Sequence, residues 1–169
     1  MVIWIIGKSG SGKTFFAKKL NNYLKKKNYK IKWFDGDSFR KKYSSDLGFS
    51  LSDRKKNSKR LQILCKKYEE KKYIVLASIT SLFRDHQKIN RRKFIHYLQI
   101  YIKVNTRLLI KRNIRKIYSQ KKNVVGLHIK FLEPYRSDFI VRNNFDKQYL
   151  KKINLISKII NVKLQKIHN

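Results

Sequence analysis

The sequence predicts an α/β fold, a parallel five-stranded sheet flanked by helices, and three observations predict it. Apolar stretches of strand length alternate with amphipathic stretches of helical period along the 169 residues, the pattern of a sheet covered on both faces. Strand candidates such as Ile74-Val75-Leu76-Ala77 are apolar without interruption, as parallel strands buried on both faces are. Residues Gly7 to Thr14 read Gly-Lys-Ser-Gly-Ser-Gly-Lys-Thr between a strand and a helix. That is the G-x-x-x-x-G-K-[ST] pattern of a phosphate-binding loop in its proper context.

The elements follow in order. Val2–Ile6 is the first strand, and Phe16, Leu20 and Leu24 mark the apolar face of a helix over Lys13–Lys26. A second strand is predicted at Ile31–Phe34. A helix from Asp53 to Glu70 has Ser50 or Ser52 before it as a cap. Strands at Tyr73–Ala77, Leu98–Val104 and Phe139–Val141 alternate with helices at His86–Lys93 and Thr106–Arg112. A last helix, from Asp146 to about residue 164, carries Leu150, Ile153, Ile156, Ile160 and Leu164 among lysines. Its stripe suits packing on the sheet or on a partner subunit, or the surface of an anionic membrane. Pro134 is the only proline, no Ser/Gly linker divides the chain, and no repeat occurs, so residues 1–169 read as one domain.

Composition narrows the function classes. No run of about 18 uncharged apolar residues occurs, so no membrane span is expected. The chain enters a core strand at residue 2 without a basic leader, so no signal peptide is expected. Cys65 is the only cysteine and lies in a helical stretch with Leu61 and Leu64. No internal disulfide is possible, a core role is expected, and a reducing, cytoplasmic setting fits. The net charge is +33, with lysine supplying 32 of the 43 basic residues. Such a field draws in polyanions. The lysines are spread along the chain, however, and Lys, Ile, Asn and Tyr together suit A/T-rich codons, so compositional drift is the expected source of the excess, with a nucleic-acid-binding NTPase as the rival reading. No appended nucleic-acid-binding module is present, and no specific nucleic-acid partner is expected.

Ligands of parallel sheets bind beyond the carboxyl ends of the strands, and the chemistry-bearing residues follow the strands. In the first loop Gly7, Gly10 and Gly12 let the backbone amides, with Lys8, Ser9 and Ser11 between them, wrap a phosphate. Lys13 would reach the β- and γ-phosphates, and the Thr14 hydroxyl would ligate Mg²⁺. Asp35-Gly36-Asp37 follows the second strand. One carboxylate can serve the metal and its waters, and the other the attacking hydroxyl, while Arg40 neutralises an acceptor phosphate. Two of only ten acidic residues stand there, although Asp-Gly is also a common turn. Arg54, Asn57 and Arg60 fall at i, i+3 and i+6, near enough to share a helix face for a polyanionic acceptor, with Phe49 available to stack on a base. Ser78 to Arg84, with Ile79 and Ser81, follows the third strand.

Together these segments resemble the adenylyl-sulfate kinase family over roughly residues 2 to 145. The family's signatures are a phosphate loop, D-G-D-x-x-R, D-L-G-F-S-x-x-D-R-x-x-N-x-x-R and S-x-x-S-x-[YF]-R. They stand here as Gly7–Thr14, Asp35–Arg40, Asp46–Arg60 and Ser78–Arg84. Asn123-Val124-Val125-Gly126-Leu127 and Glu133-Pro134 resemble the family's lid and the turn after it, placing a lid over about residues 113–135.

The resemblance implies a P-loop kinase fold and ATP-dependent phosphorylation of a ribose 3′-hydroxyl on a small nucleotide acceptor, with ATP and Mg²⁺ as cofactors. It implies that Gly7 to Thr14 bind the ATP phosphates and Mg²⁺, with Asp35 near the metal waters and Asp37 at the acceptor hydroxyl. Arg40, Arg54 and Asn57 would bind the acceptor's phosphate and sugar, Phe49 would stack on its base, and Ser81 would sit at the acceptor pocket. Arg115 stands where the family often has a lysine and would reach the transferring group. Family members often form dimers, so a homodimer is expected. Three departures bear on the base. The family's S-F-I-S-P reads Ser78-Ile79-Thr80-Ser81-Leu82, its lid Phe-Thr-Gly reads Val124-Val125-Gly126, and its K-G-L-Y reads Arg115-Lys116-Ile117-Tyr118. A lost aromatic platform would cost about 1–3 kcal/mol of stacking or suit a smaller base. Two acceptors therefore stand open: adenylyl sulfate, and the cytidine 5′-diphosphoramidate used by relatives in bacterial capsule gene clusters.

Overall fold

The computed structural model describes residues 1–113, 116–119 and 123–168. Five strands, β1 (Val2–Ile6), β2 (Ile31–Asp35), β3 (Ile74–Ile79), β4 (Tyr97–Lys103) and β5 (Phe139–Arg142), form one sheet in the order β2-β3-β1-β4-β5. All four pairings are parallel. β1 is central, with Val2 opposite Val75 on one side and Tyr97 on the other. Parallel neighbours need crossovers, supplied here by helices α1 (Lys13–Lys25), α2 (Gly36–Tyr43), α3 (Leu51–Glu70), α4 (Arg84–Lys93) and α5 (Thr106–Arg112). Helix α6 (Lys147–His168) follows β5.

Alternate residues of β1 feed two cores. Ile3 and Ile5 pack with Phe16, Leu20 and Leu24 of α1 and with Tyr149, Ile153, Ile156, Ile160 and Leu164 of α6. Val2, Trp4 and Ile6 pack with Phe39 of α2, Leu61 and Cys65 of α3, and Phe94. The apolar stripe of α6 is thus covered by α1 and the sheet. Leu150 is the member that falls outside it, at 39% exposure. Among the described residues no helix is long and apolar enough to cross a membrane. Cys65 is fully buried, and burial pushes its thiol pKa up, so it is a core residue and not a reactive one.

The strand assignments hold to within two residues, and the differences have local causes. β3 runs on to Ile79 because Ser78 and Ile79 pair with Ile5 and Ile6. α3 starts at Leu51 because Ser50 is its cap: the Ser50 hydroxyl oxygen accepts from the Asp53 N–H at 3.1 Å and its O–H donates to Asp53 Oδ2 at 2.7 Å. α2 was not expected. It begins where Asp35 caps it, accepting from the Asp37 N–H at 3.3 Å. A glycine in its first position and a single buried side chain, Phe39, leave no apolar period to read.

Candidate active site

All five strands point their carboxyl ends at one pole, where a cleft of about 240 Å³ opens. The loop after β1 forms one wall. Gly10 and Gly12 have φ of 74° and 94°, a region that L side chains rarely adopt. Gly7 has no room for a side chain, because a Cβ there would stand 2.8 Å from the Ile102 carbonyl oxygen. Gly12 caps α1 without any side-chain hydrogen bond. The amides of the first turn therefore face the cleft as a dipole-backed anion site. Lys13 Nζ donates to the Lys8 carbonyl at 2.7 Å, which holds the ammonium across the loop.

The opposite wall is Asp35. Its Oδ2 accepts from the Thr14 hydroxyl at 2.7 Å and from the Ser78 hydroxyl at 3.1 Å. The Trp33 indole N–H donates to Ser78 Oγ at 3.0 Å. A chain of donors from β2 and β3 thus fixes the carboxylate against the phosphate loop. Thr14 and Asp35 are hard oxygen donors side by side, which fits Mg²⁺, a cation that takes few protein ligands and completes its shell with phosphate and water oxygens. Among the described residues no group of three or more His, Cys, Asp or Glu gathers to cage a metal alone. Asp37 and Ile79 line the same cleft, as do Ser9, Gly10, Gly12, Lys13 and Thr14.

Beyond Asp37 lies a basic, aromatic cluster. The Arg40 guanidinium donates to the Gly48 carbonyl at 2.6 Å and sits 4.8 Å from the centre of the Phe49 ring. Arg54 lies 5.5 Å from the same ring centre and donates to the Phe49 carbonyl at 3.0 Å and the Asn123 carbonyl at 3.1 Å. Burial pulls both guanidinium pKa values down, and the charge of Arg40 pulls that of Arg54 further. Both remain charged at any physiological pH, so two crowded cations stand ready for an anion. The Phe49 ring is 56% exposed and open to a stacking partner. Asn57, one turn along α3, is buried, and its Oδ1 has no hydrogen-bond partner among the described residues.

Several expected residues sit elsewhere. Lys8 turns away from the cleft and donates to the Thr106 hydroxyl. Ser11 is fully buried, and its carbonyl accepts from Asn143 Nδ2 at 2.9 Å. Ser81 is buried behind the cleft, 3.5 Å from Gln87 Nε2. Val124 is buried, its carbonyl accepting from the amides of Leu127, His128 and Ile129. Arg60 leaves the face of Arg54 and Asn57 for a bidentate pair with Asp46 at 2.5 and 2.8 Å. Arg115 lies outside the described residues. Sequence reasoning missed Leu109, Arg112 and Tyr118, which line the cleft, and Asn143 and Tyr149, which hold the loop from behind. The Tyr149 hydroxyl donates to the Gly12 carbonyl at 3.0 Å. Arg112, 4.0 Å from the Phe145 ring centre, is the nearest of the ring-stacked cations to its partner. The signal was available: these residues follow β4 and β5, the same rule that located Asp35.

A family model described as adenylylsulphate kinase matches residues 1–142. An adenylyl-sulfate kinase of Prochlorococcus marinus is 31% identical over 98% of this chain and 86% of its own length. One from Halothermothrix orenii is 26% identical over 85% and 80% respectively. Among solved structures, the Mycobacterium tuberculosis APS kinase in complex with AMPPNP and APS superposes with a TM-score of 0.81 over 92% of this chain and 96% of that one, at 23% identity. That likeness shows a shared P-loop kinase fold.

Proposed function

The chain belongs to the adenylyl-sulphate kinase family, and we propose that its cleft transfers the γ-phosphoryl group of ATP to the ribose 3′-hydroxyl of adenylyl sulfate. An ATP-dependent phosphotransferase with a hydroxyl acceptor needs a donor half and an acceptor half facing each other. The observation that carries the reading is the Thr14–Asp35 contact, which joins the phosphate loop to the D-G-D element at one hydrogen bond. It supports the reading because the Thr14 hydroxyl, which would bind the metal, lies beside the segment that leads to Asp37.

Each residue then has a task. The loop amides and Lys13 bind the β- and γ-phosphates and gather negative charge as it shifts during transfer. Thr14, with Asp35 through water, would hold Mg²⁺, which supplies charge neutralisation when bound. Asp37 accepts a hydrogen bond from the 3′-hydroxyl and orients it in line with the γ-phosphorus. A loose transition state asks for little proton abstraction before bond formation, so orientation is the larger part of that task. Arg40 and Arg54 meet the acceptor's charged 5′ group, Asn57 Oδ1 accepts from a donor on the acceptor, and Phe49 stacks on the base.

The test supplies adenylyl sulfate and cytidine 5′-diphosphoramidate separately with Mg-ATP and compares kcat/KM. Adenylyl sulfate is expected to be preferred. Preference for the cytidine acceptor would move the assignment of the base, and ATP hydrolysis stimulated by DNA or RNA alone would sink the kinase reading.

A further inference from the structure

Lys8 is the second residue of the phosphate loop, yet its side chain serves the other side of the loop. Its ammonium donates to the Thr106 hydroxyl at the start of α5 and lies 5.6 Å from the centre of the Phe131 ring. Its stem forms a floor for Gly126. A Cβ on Gly126 would stand 3.4 Å from Lys8 Cδ and 3.6 Å from Cε, and the Gly126 φ of 93° places this turn where an L side chain is strained. The turn is closed from within by the Gly126 N–H donating to the Ile129 carbonyl at 2.8 Å. Three residues back along the same segment, the Asn123 carbonyl receives Arg54 from the acceptor pocket. At its other end, the Lys8 carbonyl receives the Lys13 ammonium.

One residue therefore touches both halves of the site. Its main chain steadies the lysine that meets the donor phosphates, and its side chain supports the segment that seats an acceptor arginine. We propose that Lys8 is a positioning residue, a strut that holds the turn around Gly126 and Phe131 against the phosphate loop and so fixes where Asn123 seats Arg54. The inference rests on the two-nucleotide reading above for its kinetic consequence and on the geometry alone for its structural one. The competing possibility is that the ammonium swings back and serves as a second phosphate ligand.

The two are separable with Lys8→Ala and Lys8→Met. A strut predicts that Lys8→Ala raises the acceptor KM by about tenfold, a typical coupling between sites, while the Kd for AMPPNP changes less than about twofold. It also predicts faster amide hydrogen exchange over residues 123–131 in the nucleotide-free protein. Lys8→Met keeps the stem under Gly126 and loses only the ammonium, so it falls between wild type and Lys8→Ala in both readouts. An AMPPNP Kd that rises as much as the acceptor KM would assign the ammonium to the donor phosphates. Unchanged exchange over 123–131 would remove the strut. Faster exchange in a protein that phosphorylates no nucleotide would support the strut and overturn the kinase reading, so the two failures are distinguishable.

Discussion

Asp35 does three jobs with two oxygens: it receives the Thr14 hydroxyl, receives the Ser78 hydroxyl and caps α2 through the Asp37 amide. Asp37 is left at the head of the helix that Asp35 caps, facing the same cleft as Lys13 and Thr14. The division of labour predicts that Asp37→Asn cuts kcat by about a hundredfold, the scale on which misplacing a reacting group slows transfer. The Kd for AMPPNP should change little. A large loss of AMPPNP affinity with normal turnover would move Asp37 out of the acceptor site. At this scale the sequence is legible where a motif constrains the side chain itself. Lys13, Thr14 and Asp35 stand where the motifs place them. Lys8 and Ser11 occupy the unconstrained positions of the loop, where the pattern specifies backbone only, and their side chains answer to neighbours far away in sequence.

Helix α3 is the element on which the proposed acceptor half depends. Arg54 and Asn57 lie in its first two turns, and the register of those turns is set by Ser50 at the cap. Losing a serine cap costs about 1 kcal/mol. Ser50→Ala is therefore expected to lower Tm by several degrees and to raise the acceptor KM, with AMPPNP binding unchanged. Ser52→Ala, inside the helix and exposed, serves as the control and should do neither. Strands and long helices were legible because burial imposes a period on them, as in β1, where every residue is fully buried. α2 was not, because eight residues with one buried side chain impose none. Arg112, Asn143 and Tyr149 were missed for a different reason. They follow β4 and β5, where the strand-end rule points, but no motif singles them out from their neighbours.

Across the whole molecule, charge and burial set the response to pH. Among the described residues, four of the ten acidic groups stand in ion pairs: Glu69 with the Met1 amine and Lys66, Asp138 with Arg91, Asp46 with Arg60, and Glu133 with Lys103. One titrating group inside the fold near neutrality is His86, 3% exposed, with Nδ1 2.9 Å from the Ser58 hydroxyl. Burial holds its pKa below the ordinary value, and the charges of Lys55 and Lys59 lower it further against a smaller opposing pull from Asp85. The folded protein thus takes up this proton less readily than the unfolded chain. Its contribution is complete above about pH 6.5, the ordinary imidazole value, and is lost as pH falls below that. Urea unfolding at pH 7.5 and 5.5 should show wild type losing more stability than His86→Asn. The difference cannot exceed about 1.4 kcal/mol per pH unit for one proton. Equal losses would assign the pH response to other groups.

The order β2-β3-β1-β4-β5 also bears on how the chain comes to exist as a folded object. β1 precedes both of its sheet partners in the chain, and they begin only at Ile74 and Tyr97. Until synthesis has passed residue 103, β1, whose five residues are all apolar, has at least one open edge. Such a segment is a template for pairing with other nascent chains, and long-range parallel pairing is slow to form. The lysines of α1, crowded immediately after it, put like charge on every copy of that exposed segment. Like charge on neighbouring copies opposes such pairing for as long as that edge stays open.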